Sequence, residues 1–254
     1  MKNIALILLL FPCAYASAQF VIEKKELPDT AYTIPMFNAS YAYQWSAAEM
    51  HDRFGPNSNV GASITVKTKK GWYYGIKGNF LWGARVNDPK VLRNILISDG
   101  YSVIDNQGRL THVYLGQRGS SFFALGGKMF NVLAPNKNSG ILTYAGFGML
   151  QHKISIKFED DVASLTDEHK KGYDRFSVGP AANAFVGYLF LSKNRMINFF
   201  GGFDYTIGWT KSLRKFNYDT QEVDTDRHTN ILYGIRAGWI IRLNRRQAQE
   251  FYYN

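Results

Sequence analysis

Cysteine is almost absent from this chain of 254 residues. Cys13 is the only one, and it falls within an N-terminal segment that has the form of a secretory signal. Residues 1–18 combine the basic Lys2, an apolar core from Ile4 to Phe11 and the small-residue cleavage site Ala16-Ser17-Ala18. Acylation of Cys13 as in a lipoprotein is disfavoured, because a proline precedes it where a small residue is needed. Cleavage after residue 18 removes the thiol, which excludes disulfides, cysteine metal sites and a cysteine nucleophile.

Long apolar runs are also missing. No segment after residue 18 approaches the roughly 20 apolar residues of a membrane-spanning helix, so any insertion into a bilayer must use β-strands. Charged residues make up 20% of the chain and aromatic residues 15%. This mixture suits a membrane barrel, in which only one face of each strand is apolar. It also suits one large soluble all-β domain.

The five tryptophans are distributed unevenly between the two faces of the predicted strands. All of them fall on the apolar parity of an alternating segment: Trp45, Trp72, Trp82, Trp209 and Trp239. A soluble β-protein has no reason to sort tryptophan in this way, whereas amphipathic rings collect at the two membrane–water interfaces of a lipid-facing barrel. The pattern therefore predicts two aromatic girdles. Trp45, Trp82 and Trp209 belong to the outer one, and Trp72 and Trp239 to the periplasmic one.

Alternating segments recur along the chain, most clearly at 72–86, where Trp72 and Ile76 share one parity and Lys77 the other. Eight strands are predicted, at 33–46, 59–68, 72–86, 119–133, 140–157, 175–191, 196–210 and 229–243. Short turns at 69–71, 134–139 and 192–195 alternate with long loops at 47–58, 87–118, 158–174 and 211–228. Residues 110–117 have a strand pattern, but they are assigned to the second loop because a bacterial barrel needs an even strand number.

These segments predict an all-β protein, an eight-stranded antiparallel up-and-down transmembrane β-barrel at residues 33–243. Residues 19–32 are predicted to be a periplasmic N-terminal segment and residues 244–254 a periplasmic tail. A soluble barrel of the lipocalin type is the alternative, but it would have an apolar interior and a polar exterior.

The orientation of two strands follows from the same parity argument. In 119–133 it places Phe123, Leu125 and Met129 outward and Lys128 inward. In 140–157 it places Leu142, Tyr144, Leu150, Ile154 and Ile156 outward, together with His152, and Gln151 and Lys153 inward.

The inward parity carries many cations and one clear acid. A lumen ion-pair network is predicted from Lys77, Arg85, Lys128, Asp204 and Arg236, because buried charges must be paired. Asp204 and Arg236 lie on neighbouring predicted strands and are natural partners. A narrow passage that attracts anions is the alternative interpretation of the same residues.

Positive charge is concentrated at the predicted periplasmic end, within a formal net charge of +10. The basic rim consists of Lys69, Lys70, Lys193, Arg195, Arg245 and Arg246. Its expected partners are phosphates of the inner leaflet, with an acidic periplasmic or membrane protein as the alternative. Nucleic acid is not expected as a partner at this location.

No pattern predicts a catalytic, cofactor-binding or metal site. His228 follows Asp224 and Asp226, but mixed-charge loops usually bind only water, and no spacing matches a known metal site. The five histidines are scattered, and acid–base catalysis needs convergent groups.

The segment Arg236–Leu243 resembles the last-strand signal read by the outer-membrane barrel assembly machinery. The whole architecture resembles the OmpA/OmpX-type eight-stranded outer-membrane barrels. The segments Phe54-Gly55-Pro56-Asn57, Lys171-Gly172-Tyr173-Asp174-Arg175 and Ile197-Asn198-Phe199-Phe200-Gly201 resemble uncharacterised barrels of Bacteroidota.

The resemblance implies an outer-membrane location, with outer-membrane lipids, lipopolysaccharide and the assembly machinery as partners. The expected role is a non-enzymatic scaffold, surface-interaction protein or accessory subunit of an envelope or secretion machine. A lipid-modifying or hydrolytic membrane enzyme is the alternative.

Overall fold

A computed structural model describes residues 31–88, 91–97, 102–104, 106–159, 167–192, 197–214, 216–219 and 221–243. These residues form nine strands and two short helices. In chain order they are β1 (Ile34–Ala48), α1 (Glu49–Arg53), β2 (Asn57–Lys67), β3 (Trp72–Gly83), β4 (Ser102–Ile104), β5 (Leu110–Phe130), β6 (Gly140–Phe158), α2 (Asp167–Lys170), β7 (Ser177–Leu191), β8 (Asn198–Ser212) and β9 (Arg227–Arg242). The predicted signal peptide, residues 19–30 and the tail 244–254 lie outside the described residues.

Eight of these strands close into a ring. Each pairs antiparallel with its neighbour, β5 follows β3 directly in the ring, and β9 returns to pair with β1. Strand β4 lies outside the ring and pairs only with the outer end of β5. The prediction of an eight-stranded antiparallel barrel is confirmed, and closure removes the open edges that an eight-stranded sheet would otherwise expose.

The register gives the shear of the barrel. The paired residues, followed once around the ring, are Met36, Thr65, Gly75, Leu125, Gly146, Asn183, Thr206 and Leu232, and the next partner on β1 is Ser46. The path therefore returns ten residues further along β1, from 36 to 46. Eight strands with this stagger tilt by about 40° from the barrel axis. Because ten is even, the residues of β9 that face inward pair with residues of β1 that also face inward when the ring closes.

The outer wall of the barrel is apolar and its interior is partly polar, as a barrel that faces lipid requires. The outward parity exposes large apolar side chains along every strand of the ring, among them Tyr41, Ile64, Phe80, Phe122, Phe147, Val186, Phe203 and Ile235. The inward parity buries polar side chains at mid-height, including Asn38, Gln44, Lys77, Asn183, Asp204 and Arg236. Within the described part of the chain, no helix is long and apolar enough to cross a membrane.

Strand β5 is longer than the sequence pattern predicts. Residues 110–117, assigned to the second loop, continue β5 upward, where they pair with β6 and, at their tip, with β4. Strand β3 ends at Gly83 instead of residue 86, so β5 and β6 extend beyond it as a two-stranded projection. The ring still has an even number of strands, because residues 110–117 lengthen β5 and do not form a separate strand of the ring.

The outward and inward faces of β5 and β6 are the reverse of the prediction. Phe123, Leu125 and Met129 are buried inside, as are Leu142, Tyr144, Leu150, His152, Ile154 and Ile156. Gln151 and Lys153 are exposed on the outer wall. Two physical reasons account for the inversion. Large apolar side chains fill the floor of this narrow barrel, and the upper part of β6 rises above the apolar band, where the outer wall is polar.

The short turn between β2 and β3 shows one strict glycine requirement. Gly71 has φ +81°, a value that other residues adopt at a cost. An added Cβ there would lie 2.6 Å from the carbonyl oxygen of Met129. Lys69 and Lys70 precede it and are exposed, so this turn displays its charge to solvent.

Candidate functional site

A buried charge cluster lies at mid-height inside the barrel. Asp204 on β8 accepts from Lys77 Nζ at 3.4 Å and from Arg236 NH2 at 3.2 Å, and all three side chains are almost completely buried. Asn183 and Gln44 donate to the same carboxylate, each at 3.2 Å. Of the five residues predicted to form the lumen network, the structure brings together Lys77, Asp204 and Arg236.

The cluster contains two cations and one anion. Neutral polar groups and an aromatic ring stabilise the excess positive charge. Lys77 Nζ donates to Asn183 Oδ1 at 2.7 Å and lies 5.2 Å from the ring centre of Tyr144. The Arg236 guanidinium donates to Ser40 Oγ at 3.0 Å and to Asn59 Oδ1 at 3.3 Å. Cation–π contacts and hydrogen bonds of this kind compensate the desolvation that a buried cation suffers.

Lys128 and Arg85 do not belong to this network, and their prediction was wrong. Lys128 lies on the outer wall of β5, with Nζ 5.4 Å from the ring centre of Trp72 and 5.7 Å from that of Phe130. Its side chain follows the inverted parity of β5. Arg85 lies two residues beyond the end of β3, where strand alternation no longer applies, and its exposed side chain packs over Gly55.

Apolar layers close the interior below the charge cluster. Tyr73, Tyr144, Phe185 and Phe200 form a continuous aromatic series, with neighbouring ring centres 4.9–5.8 Å apart. Buried aliphatic side chains complete this floor, namely Ile34, Met36, Leu142, Leu189, Leu191 and Ile240. Side chains therefore fill the cross-section, as expected for eight strands.

A short helix covers the upper opening. Helix α1 follows Ala48, whose φ of +53° turns the chain inward over the barrel mouth. Met50 and Phe54 are completely buried beneath it. The Phe54 ring packs edge-on against His152, at 5.6 Å between ring centres. His152 was predicted to face lipid, but it lies inside, where its Nε2 is 3.4 Å from Thr210 Oγ1.

A four-residue clasp, consisting of Glu49, Arg53, Asp224 and His228, ties α1 to the fourth loop and to β9. His228 Nδ1 contacts Glu49 Oε2, and His228 Nε2 lies 2.9 Å from both carboxylate oxygens of Asp224. Arg53 NH2 donates to Asp224 Oδ2 at 3.2 Å. Both ring nitrogens of His228 thus lie beside carboxylate oxygens, and Arg53 NH2 lies 3.1 Å from Nε2.

The clasp stabilises the ionised form of its acids. Burial alone would raise the pKa of Glu49, but hydrogen bonds from His228 and from the Thr229 amide, with the nearby positive charges, hold that pKa below its usual value. Burial likewise opposes ionisation of Asp224. The hydrogen bond from His228 and the positive charge of Arg53 outweigh this effect of burial, so the pKa of Asp224 is lowered as well. The sequence shows Asp224 beside His228, but it does not show that Glu49, 179 positions earlier, completes the clasp.

Ion pairs also join the other three outer loops. Arg175 in the third loop contacts Asp88 of the second at 3.3 Å and Asp219 of the fourth at 2.7 Å. Arg214 contacts Asp174 at 2.5 Å. The hydrogen bond to Asp174 raises the pKa of Arg214, against the opposing effect of burial. Together with the clasp, these contacts link all four outer loops into one cap.

The predicted girdle and rim residues occupy the following places. All five tryptophan side chains lie on the outer wall, and four of them are 37–56% exposed, Trp82 being less so. Carrying the register around the tilted barrel places Trp45, Trp82 and Trp209 about 23 Å above Trp72 and Trp239. In the predicted basic rim, Lys69 and Lys70 are exposed in the lower turn. The remaining rim residues, Lys193, Arg195, Arg245 and Arg246, lie outside the described residues.

A groove of about 620 Å³ on the outer wall is lined by small and aromatic residues, including Ala39, Tyr41, Tyr188, Gly201 and Ala237. In the part of the chain that the structure describes, no group of three or more His, Cys, Asp or Glu side chains is arranged to hold a metal ion.

Fold and interior together define a closed eight-stranded β-barrel with the architecture of the OmpA/OmpX-type outer-membrane barrels. No family model matches the chain, and no curated protein matches it. The resemblance to Bacteroidota proteins stays a prediction.

Solved structures that are similar to the chain at low identity include those of three bacterial proteins. The first is Ail, the attachment invasion locus protein of Yersinia pestis, at 12% identity and a TM-score of 0.38, covering 84% of this chain and 100% of Ail. Neisserial surface protein A has 12% identity and a TM-score of 0.36, covering 80% and 95%. OprG of Pseudomonas aeruginosa has 11% identity and a TM-score of 0.36, covering 84% and 97%. Because these identities and TM-scores are low, the evidence for the fold is the strand pairing observed in this chain.

Proposed function

We propose that this protein is an integral outer-membrane barrel that acts as a closed anchor and presents its linked outer loops to a partner. In this role it is a scaffold, a surface-interaction protein or an accessory subunit of an envelope machine. The observation that carries the proposal is the outer wall. An exposed apolar band lies between two tryptophan levels about 23 Å apart, close to the height of the apolar band in such barrels.

The filled interior supports an anchor in preference to a pore. The aromatic floor, the charge cluster around Asp204 and the helix α1 over the mouth occupy successive levels of the barrel. An ion would have to displace completely buried side chains at each level. The excess cation in the cluster is held by Asn183 and by the ring of Tyr144.

The cap supports a role in binding at the outer surface. Ion pairs join the second, third and fourth loops, and the clasp joins the first loop to the fourth. Binding surfaces work best when their conformation is fixed before the partner arrives. At the opposite end, the exposed Lys69 and Lys70 suit inner-leaflet phosphates or an acidic periplasmic partner.

The test is folding of residues 19–254 into lipid vesicles, followed by conductance measurements in planar bilayers. The expected result is a compact form that migrates differently on gels before and after heating, together with a silent bilayer. A porin of known conductance serves as the positive control. Regular anion-selective steps would overturn the closed anchor and favour an anion passage. Absence of a heat-modifiable, membrane-inserted form would overturn the membrane assignment.

A hydrolytic enzyme is the alternative, and one contact favours it. Ser102 Oγ lies 3.5 Å from His112 Nδ1 beside β4, the pairing of a nucleophile with a base. The distance is long for such a pair, and Ser102 is buried. Release of fatty acid from lipid by the folded wild type, lost in Ser102→Ala and retained in a Ser120→Ala control, would establish the enzyme. No release from the wild type supports the anchor.

A further inference from the structure

The outer wall changes abruptly from apolar to basic at its upper end. On β5 and β6, the outward pair Phe122 and Met149 is the last apolar row. The next outward row is Ser120 and Gln151, joined by a 2.6 Å hydrogen bond. The row above that pairs Arg118 directly with Lys153. The transition from hydrocarbon-like to cationic surface takes four residues along the strand.

The same change occurs on the other side of the barrel. On β8 and β9, Trp209 lies opposite Thr229, and the next outward row pairs Lys211 with Arg227. The register places Arg118, Lys153, Lys211 and Arg227 roughly 3–10 Å above the mean level of the upper three tryptophans. This is the depth of a lipid headgroup when the tryptophans mark the edge of the hydrocarbon.

Both pairs are electrostatically unfavourable when considered alone. Like charges directly opposite each other on neighbouring strands destabilise a sheet. Among the described residues, none of these four cations forms an ion pair; Arg118 donates to the carbonyl oxygen of Gln117, a neutral acceptor. Lys153, Lys211 and Arg227 are exposed. An external anion that bridges each pair would remove the repulsion.

The charge distribution also identifies the source of the anion. The charged loop contacts, such as Arg214 with Asp174, are neutralised within the protein, whereas these two outward pairs are not. They face sideways, in the plane of the bilayer, and lie directly above an apolar wall that contacts acyl chains. A molecule that places phosphate at this depth and hydrocarbon beneath it fits both parts of the surface.

We propose that the pairs Arg118–Lys153 and Lys211–Arg227 form two binding sites for the phosphate groups of a phosphorylated lipid in the outer leaflet. The proposal rests on the membrane orientation in the proposed function. Each pair presents two cations to one phosphate, since cross-strand neighbours stand about 5 Å apart. The wall below each pair, Phe122 and Met149 on one side and Trp209 on the other, packs against the acyl chains.

The test uses the folded protein in phosphatidylcholine nanodiscs, titrated with bisphosphorylated lipid A. The parallel titrations use lipid A without its phosphates and additional phosphatidylcholine. The expected result is saturable binding of the bisphosphorylated lipid alone, weakened by salt. Arg118→Gln/Lys153→Gln and Lys211→Gln/Arg227→Gln should each weaken the affinity of the altered site by about 30-fold and leave the other site unchanged, from the usual contribution of two cations near an anionic surface.

The matched control is Arg93→Gln/Lys171→Gln, which removes the same charge from two exposed positions in the outer loops and should bind like the wild type. Equal loss in the control would overturn the assignment, because general charge attraction would then explain binding. Unchanged binding by both outer double variants would also overturn it. A protein that inserts and stays heat-modifiable but does not prefer phosphorylated lipid disproves this inference alone, whereas failure to insert disproves the proposed function.

Discussion

At the scale of single residues, the interior depends on Asp204 more than on any cation around it. Its carboxylate accepts from Lys77, Arg236, Asn183 and Gln44 and is completely buried. Removing the one acid leaves two buried cations facing each other. Removing one cation leaves a neutral pair that the amides can still surround.

We therefore expect Asp204→Asn to lower the free energy of unfolding by about 3–5 kcal/mol, the usual cost of breaking a buried ion pair from one side. Urea titration of the vesicle-inserted protein, followed by tryptophan fluorescence, measures it. Lys77→Met should cost less, because Asp204 and Arg236 remain paired. The exposed Asp226→Asn is the control and should change stability by less than about 0.5 kcal/mol. Equal effects of Asp204→Asn and Asp226→Asn would contradict the central role of Asp204.

The clasp predicts how stability depends on pH. Glu49 and Asp224 have folded-state pKa values below their ordinary values of 4.5 and 3.8. Their contribution is complete above the ordinary values and is lost as the pH falls through the lowered ones. The urea midpoint of the wild type should therefore drop on acidification below about pH 4.5. In Glu49→Gln/Asp224→Asn this drop should be smaller, while the exposed-acid control Asp52→Asn/Glu222→Gln should match the wild type.

At the scale of elements, periodicity predicts strands well but does not always predict which face points outward. In β9 the two parities differ sharply, with Tyr233 and Ile235 against Arg236, and the predicted orientation agrees with the structure. In β5, Phe122 and Phe123 are adjacent, so both parities carry a large apolar residue. The choice then depends on what fills the lumen, which is a property of all eight strands together.

The orientation of β5 is directly testable, because a chain cleaved after Ala18 has no cysteine. A lipid-phase quencher should quench a fluorophore attached at Lys128→Cys strongly, because this position lies beside Trp72 on the outer wall. The neighbouring inward position, Met129→Cys, is the control; Met129 is buried, so the label should attach poorly and be little quenched. The opposite ranking would restore the orientation predicted from the sequence and remove Lys128 from the outer wall.

Helix α1 could not be predicted from local sequence. It has five residues and no side-chain hydrogen bond at its N-terminal cap, and its position depends on Ala48 with positive φ and on partners in the fourth loop. Ala48 carries no sign of that backbone conformation, since alanine is not enriched there. The clasp was missed for the same reason, because its contacts join residues far apart in the chain.

At the scale of the whole molecule, the barrel requires different residues from the same strand below and above the upper tryptophans. Below the upper tryptophans, the outer wall is apolar and the interior is partly polar. Above them, β6 exposes Gln151 and Lys153 and buries His152 and Ile154. The rule that the apolar parity of a strand faces outward therefore fails in β6, both at the apolar floor, where Leu142 is buried, and above the apolar band. The strand number and the up-and-down order are insensitive to this change, which explains why they were predicted correctly.

The two tryptophan levels predict where the natural fluorescence originates. In vesicles with bromine near the headgroup end of the acyl chains, tryptophan emission should be quenched more strongly than in vesicles with bromine at the chain ends. The reason is that all five rings lie near the interfaces, with about 23 Å between the upper and lower tryptophan levels. The control carries Phe at all five positions together with Ile235→Trp. Ile235 is 62% exposed on the outer wall, at mid-height by register, so this variant should show the reverse preference. Equal quenching of the wild type from both depths would place the tryptophans throughout the bilayer and contradict the two girdles.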